Sequence, residues 1–227
     1  VNYLSHHAVA LAGSGLHAPE FFVGNVLPDL LAMSRDGRVR SLQTKEDDSP
    51  LLQGVHLHLR TDKRFHAGAA FAGARETAKS LLGGGHYDVP LHRVFFLTHA
   101  FVEIALDGYL LSGDETVADD FYGRFAHADL PGVVAQAGTM LAAAYPLLGL
   151  ARVLERFVEH RFLYNYADAA GRAEALHRLC LRAGLPGFAS DDDRATLARA
   201  FAGFETYIGE NARALLFGEA PPPAMVQ

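Results

Sequence analysis

The chain has one cysteine, Cys180, so no disulfide can form within it and a reducing compartment is the natural setting. Its first residues, Val1-Asn2-Tyr3-Leu4-Ser5-His6-His7, lack a basic segment followed by an apolar run. A signal peptide is therefore not expected, and the cytoplasm is the expected location. An excess of positive charge is also missing. A net charge of -6 and a pI near 6.0 argue against a general nucleic-acid binder. There is no Gly-rich phosphate loop followed by Lys-Ser/Thr, no Gly-x-Ser-x-Gly elbow, and no Cys/His nucleophile pattern. Between Asp129 and Arg152 no residue is charged, a length sufficient for a bilayer span. Gln136, Gly138, Thr139, Tyr145, Pro146 and Gly149 interrupt it and its alanines are weakly hydrophobic, so the expectation is two buried helices broken near Pro146 and no membrane span.

No run of alternating β-branched residues occurs, whereas apolar residues recur at helical spacing almost throughout, which predicts an all-α protein. With 227 residues, 50% of them hydrophobic and 20% charged, the chain can bury a proper core. Without repeats or a long linker, residues 1–220 read as a single multi-helix domain followed by a disordered Pro-rich tail at 221–227. Helices are expected over about Asn2 to Ala12, Glu20 to Met33 with a break or kink at Pro28, and Gly54 to His66. Further ones are expected over Ala70 to Leu82, Pro90 to Leu111, and from an acidic start at Ser190-Asp191-Asp192-Asp193 to about Leu216. The polar stretch from Ser34 to Pro50, with Arg35, Arg38, Arg40 and Lys45, reads as a mobile surface loop.

The chemistry concentrates in two helices. In Gly54-Val55-His56-Leu57-His58-Leu59-Arg60-Thr61-Asp62-Lys63-Arg64-Phe65-His66, residues His58, Asp62 and His66 fall at i, i+4 and i+8, with His56 and Arg60 as a neighbouring i, i+4 pair. In the apolar stretch from Phe95 to Asp107, residues His99, Glu103 and Asp107 repeat that spacing. Buried carboxylates without partners are costly, and a divalent ion held jointly by both stripes would offset the cost. His6 and Asp29 join them, Asp29 at the bend made by Pro28. A network of buried His-Asp hydrogen bonds is the bland alternative. The shared spacing favours a metal.

With nitrogen and oxygen donors and no nearby cysteine, the set admits manganese, magnesium, iron or zinc, and its carboxylates permit two ions. Such ions activate water for attack on a phosphoester, so hydrolysis is the expected chemistry. Arg60, Arg64 and Arg93 are candidates to hold phosphate oxygens, with Arg60 preferred; Lys63 reads as solvated surface charge.

Asn2-Tyr3-Leu4-Ser5-His6, Gly24-Asn25-Val26-Leu27-Pro28-Asp29 and Gly54-Val55-His56-Leu57-His58-Leu59-Arg60-Thr61-Asp62 resemble, in order, the opening motifs of acyl carrier protein phosphodiesterases. Leu106-Asp107-Gly108-Tyr109-Leu110 is similar to that family's Asp-His-Phe-Leu segment, with Gly108 in place of histidine, and His66 stands near where the family tends to have aspartate. The resemblance implies an all-helical relative of the HD-type metal phosphohydrolases that removes the 4′-phosphopantetheine arm from holo acyl carrier protein with manganese or magnesium. It implies metal or catalytic roles for His6, Asp29, His58, Asp62 and Asp107. His99 with Glu103 resembles instead the His-x-x-x-Glu pair of zinc-dependent phospholipase C-type hydrolases.

The expected activity is thus a phosphodiesterase whose metal ligands are His6, Asp29, His58, Asp62, His66, His99, Glu103 and Asp107. Asp62 and Arg60 are its catalytic candidates, and an acidic carrier protein would dock on the loop arginines. A small phosphoester or phospholipid headgroup is the alternative substrate, and a non-catalytic helical binding protein the alternative class.

Overall fold

The computed structural model describes residues 2–13, 18–34, 36, 49–88 and 90–218. Among them every regular element is helical, as the missing strand pattern predicts. In chain order the helices are α1 (Tyr3–Gly13), α2 (Pro19–Gly24), α3 (Leu27–Ser34), α4 (Pro50–Ala67), α5 (Ala69–Gly83) and α6 (Val94–Gly113). They continue with α7 (Thr116–His127), α8 (Leu130–Met140), α9 (Leu148–His160), a 3₁₀ helix (Phe162–Ala167), α10 (Ala169–Arg182) and α11 (Asp191–Phe217). The expected tail at 221–227 and the loop cations Arg35, Arg38, Arg40 and Lys45 lie outside the described residues.

The chain divides into two compact units, each discontinuous in sequence. The first comprises the described residues of Tyr3–Lys63 and Glu115–Phe162; the second comprises those of Arg64–Asp114 and Leu163–Gln227, with Asn2. The division falls inside α4, between Lys63 and Arg64.

Aromatic rings fill the core of the first unit. Tyr3 meets Phe157 edge-on at 5.1 Å between centroids, and Phe125 lies 4.8 Å from Phe121 and 5.4 Å from Phe157. Offset and edge-on pairs of this kind add to the hydrophobic gain of burying large rings. The segment 20–33 is two helices with a turn at Asn25–Val26, so the chain bends before Pro28. The expected break in this segment is thus present but lies at Asn25–Val26, and Pro28 takes the first turn of α3, where its missing N–H costs nothing. Asp29 follows in that first turn, where a carboxylate complements the helix dipole. The uncharged stretch does break before α9, but only Val133 and Ala137 of α8 are buried, so α8 is a surface helix and not the buried one expected.

Two glycines set the spacing of α2 and α4. A Cβ at Gly24 would stand 2.1 Å from the Leu51 carbonyl oxygen, and one at Gly54 would stand 2.0 Å from that of Phe21. Only glycine lets the two backbones approach so closely.

In the second unit α6 is packed by α5, α10 and α11 and is buried on nearly every side. Phe101 stacks on Phe201 at 4.0 Å and 11° and meets Phe204 at 5.3 Å. By length and composition α6 could cross a membrane, yet 67% of its most apolar window is buried inside the protein, as in a core helix. Helix α11 opens as its acidic sequence predicts, with Ser190 Oγ accepting the Asp193 N–H at 3.1 Å.

Candidate metal centres

In the first unit, α1, α3 and α4 bring together His6, Asp29 and His58, whose donor atoms all lie within 4.8 Å of one another. The two imidazoles stack, with centroids 4.1 Å apart and planes 21° from parallel. Asn25, in the turn before α3, ties both. Its side-chain amide donates to the His6 carbonyl at 2.7 Å, and its own carbonyl accepts from His58 Nδ1 at 2.9 Å. A carbonyl can only accept, so the proton of His58 sits on Nδ1 and Nε2 presents its lone pair to the group. A bond of this kind fixes the tautomer of a histidine and leaves its other nitrogen able to bind an ion.

His6 is 1% exposed, and neither of its ring nitrogens has a hydrogen-bond partner among the described residues. Burial first, and the neighbouring His58 second, lower its pKa to about 3, against smaller opposing effects of Asp29 and Asp62. A neutral imidazole with both nitrogens unpaired and buried costs about 1–3 kcal/mol per lost partner. A divalent ion beside Asp29 and the His58 Nε2 would remove the cost at whichever nitrogen binds it, and neutral imidazole is the form that ligates metals. The residues present therefore fit such an ion. Asp62 lies outside the converging three, though its charge reaches His6.

The second unit holds a separate group. His66, in the last turn of α4, meets His99 and Glu103 of α6. Nε2 of His66 lies 3.0 Å from Nε2 of His99 and 3.4 Å from Oε1 of Glu103, and His99 Nε2 lies 3.0 Å from that same oxygen. Burial alone would push the Glu103 carboxyl up; bonds from His66 and His99 are among the influences that bring it well below the usual carboxylate range.

The eight expected ligands thus do not close around one ion. His58 and His66 share a stripe of α4, but about 12 Å of helix rise separates them, and they join different groups. Asp107, one turn beyond Glu103 and wholly buried, belongs to neither group. Among the arginines, Arg60 is exposed and leaves α4 on a different side from His58, as residues two apart must. Arg64 donates to the Leu216 carbonyl at 2.7 Å near the end of α11. Arg93 is exposed with left-handed backbone (φ 48°) before α6.

Sequence reasoning gave no role to Asn25, whose backbone carbonyl has no signature, or to Arg172. The guanidinium of Arg172 explains Gly108, where a Cβ would lie 2.7 Å from Arg172 Cδ, 2.8 Å from its Nη1 and 2.7 Å from the Tyr166 carbonyl oxygen. No side chain larger than hydrogen, histidine included, fits there without movement. No family model, curated protein or solved structure matches this chain.

Proposed function

We propose that the chain is a metal-dependent phosphoric diester hydrolase whose centre is the His6, Asp29 and His58 group, with Asp62 beside it. The observation that carries this reading is the buried His6 ring, which has no hydrogen-bond partner among the described residues and faces a second imidazole and a carboxylate. A bound divalent ion, manganese or magnesium first and zinc or iron as alternatives, would supply Lewis acidity and lower the pKa of water.

The chain's own residues supply the rest. Asn25 holds the His58 ring in its ligating tautomer and anchors α1 through the His6 carbonyl. Asp29 and the two imidazoles would hold the ion, and Asp62 is placed to accept a proton from water. Arg60, the one expected phosphate-binding arginine assigned to the first unit, leaves α4 on a different side from His58 and is given no role at the ion. The resemblance of the motifs around His6, Asp29, His58 and Asp62 to acyl carrier protein phosphodiesterases, and through them to HD-type phosphohydrolases, supports the 4′-phosphopantetheine arm of a carrier protein as the substrate.

The test is release of phosphopantetheine from holo acyl carrier protein by manganese-loaded enzyme, beside Asp62→Asn and Arg60→Ala. Turnover lost in Asp62→Asn and retained in Arg60→Ala, whose side chain leaves α4 away from His58, is expected. No turnover by protein shown to contain metal removes this substrate, and turnover of a chromogenic phosphodiester alone moves the assignment to a small phosphoester.

A further inference from the structure

We propose that His66, His99 and Glu103 form a second metal site, independent of the His6 group and open to solvent, that takes a divalent first-row transition ion. The expected single centre pooled these residues with the others; their geometry makes them complete without them.

Proton counting carries the argument. The three atoms His66 Nε2, His99 Nε2 and Glu103 Oε1 form a triangle with edges of 3.0, 3.0 and 3.4 Å. With Glu103 a carboxylate, the protons that can lie on the edges of this triangle are those of the two Nε2 atoms, too few to give each of the three edges a well-directed hydrogen bond. If both are protonated, both point at the Glu103 oxygen and the 3.0 Å edge between the nitrogens sets two N–H groups against each other. If one is protonated, the bare nitrogen turns its lone pair towards a carboxylate oxygen or takes the proton that Glu103 needs. With Glu103 a carboxylate, each of these assignments leaves one edge on which two N–H groups or two lone pairs face each other.

A cation at the centre satisfies all three edges at once. Donors about 2.0–2.1 Å from an ion stand about 2.9 Å apart at right angles and about 3.4 Å apart in a tetrahedron, so the observed edges fall in the range the two geometries span. Two imidazoles and one carboxylate are the donors of catalytic zinc and of non-haem ferrous centres.

The surroundings suit a site that keeps a position open. Glu103 is 4% exposed and forms the floor, whereas His66 and His99 are 27% and 29% exposed and form the rim. Phe71 stands edge-on to both rims, 5.0 Å from the His66 ring at 76° and 5.2 Å from the His99 ring at 83°, which fixes both ring planes. His99 and Glu103 are one turn apart on α6, so neither moves without the other.

The experiment uses the full chain, stripped by chelator and titrated with cobalt, read by its visible ligand-field bands, and with zinc, read by calorimetry. Two classes of site are expected. His99→Asn and Glu103→Gln should each weaken one class by about 100-fold or more, at or beyond the top of the 10–100-fold typical of supporting residues, and leave the other intact. His58→Asn should do the reverse, so this site and the hydrolytic one stand or fall separately. A cobalt spectrum and zinc isotherm unchanged in His99→Asn overturn the proposal. A measurement that needs no variant guards against misfolding: zinc should protect His66 and His99 from diethyl pyrocarbonate, and equal modification with and without zinc also overturns it.

Discussion

Replacing Gly54 by alanine adds one methyl group and should disable the first unit's metal group from a distance. The new Cβ would lie 2.0 Å from the Phe21 carbonyl oxygen, 2.8 Å from the Asn25 nitrogen and 3.0 Å from the Gly24 carbonyl carbon, all backbone atoms that no rotamer change can clear. Ordinary contact begins near 3.4 Å, so α4 and the α2 turn must part by up to 1.4 Å, the difference between 3.4 and 2.0. Half that movement stretches the His58 Nδ1 to Asn25 carbonyl bond from 2.9 Å beyond hydrogen-bond reach. Overpacking a core costs about 1–3 kcal/mol, and a backbone obstacle belongs at the upper end. For a chain of this size about 3 kcal/mol lowers the melting temperature by about 6–12 °C. Loss of the bond that orients His58 should weaken metal binding there by about 10-fold or more. Gly123→Ala is the control: nothing lies within 4 Å of its added Cβ in α7, so it should stabilise by about 0.4–1 kcal/mol through the unfolded chain. Thermal melts and zinc titrations of both variants decide the matter. Gly54→Ala melting as high as Gly123→Ala, with wild-type metal affinity, would refute the reasoning.

Metal bound at a hundred times its dissociation constant should add about 2.7 kcal/mol of stability, about 5–11 °C in melting temperature, and chelator should remove it. Identical melts with and without chelator argue against resident metal. Gly108→Ala should cost about 1–3 kcal/mol by driving a Cβ into Arg172 and the Tyr166 carbonyl. It should leave metal binding by the His6 group unchanged, and a neutral effect on denaturant midpoints would contradict the contact. The Tyr87 hydroxyl is buried without a hydrogen-bond partner among the described residues, and burial, aided by Asp193, raises its pKa to about 12. Because folding favours the neutral phenol, its contribution is fully present below pH 10, the unperturbed value, and lost as pH rises through about 12. Tyr87→Phe should therefore flatten the fall of urea midpoints between pH 10 and 12; an unchanged slope would count against the shift.

The amino-acid sequence by itself determined the helical class, the acidic cap of α11 and the identity of the donors, because helical periodicity and capping are local properties. It also fixed the His99 and Glu103 pair, since residues four apart on one helix are neighbours whatever surrounds them. Tertiary structure alone decided the grouping. His58 and His66 look equivalent along α4, yet His58 faces α1 and the Asn25 turn while His66 faces α6. What faces each turn of a helix is set by long-range packing, here the glycine-to-carbonyl approach of α2 and α4 and the aromatic walls of the second unit. Spacing says which side chains share a stripe; it does not say what that stripe meets.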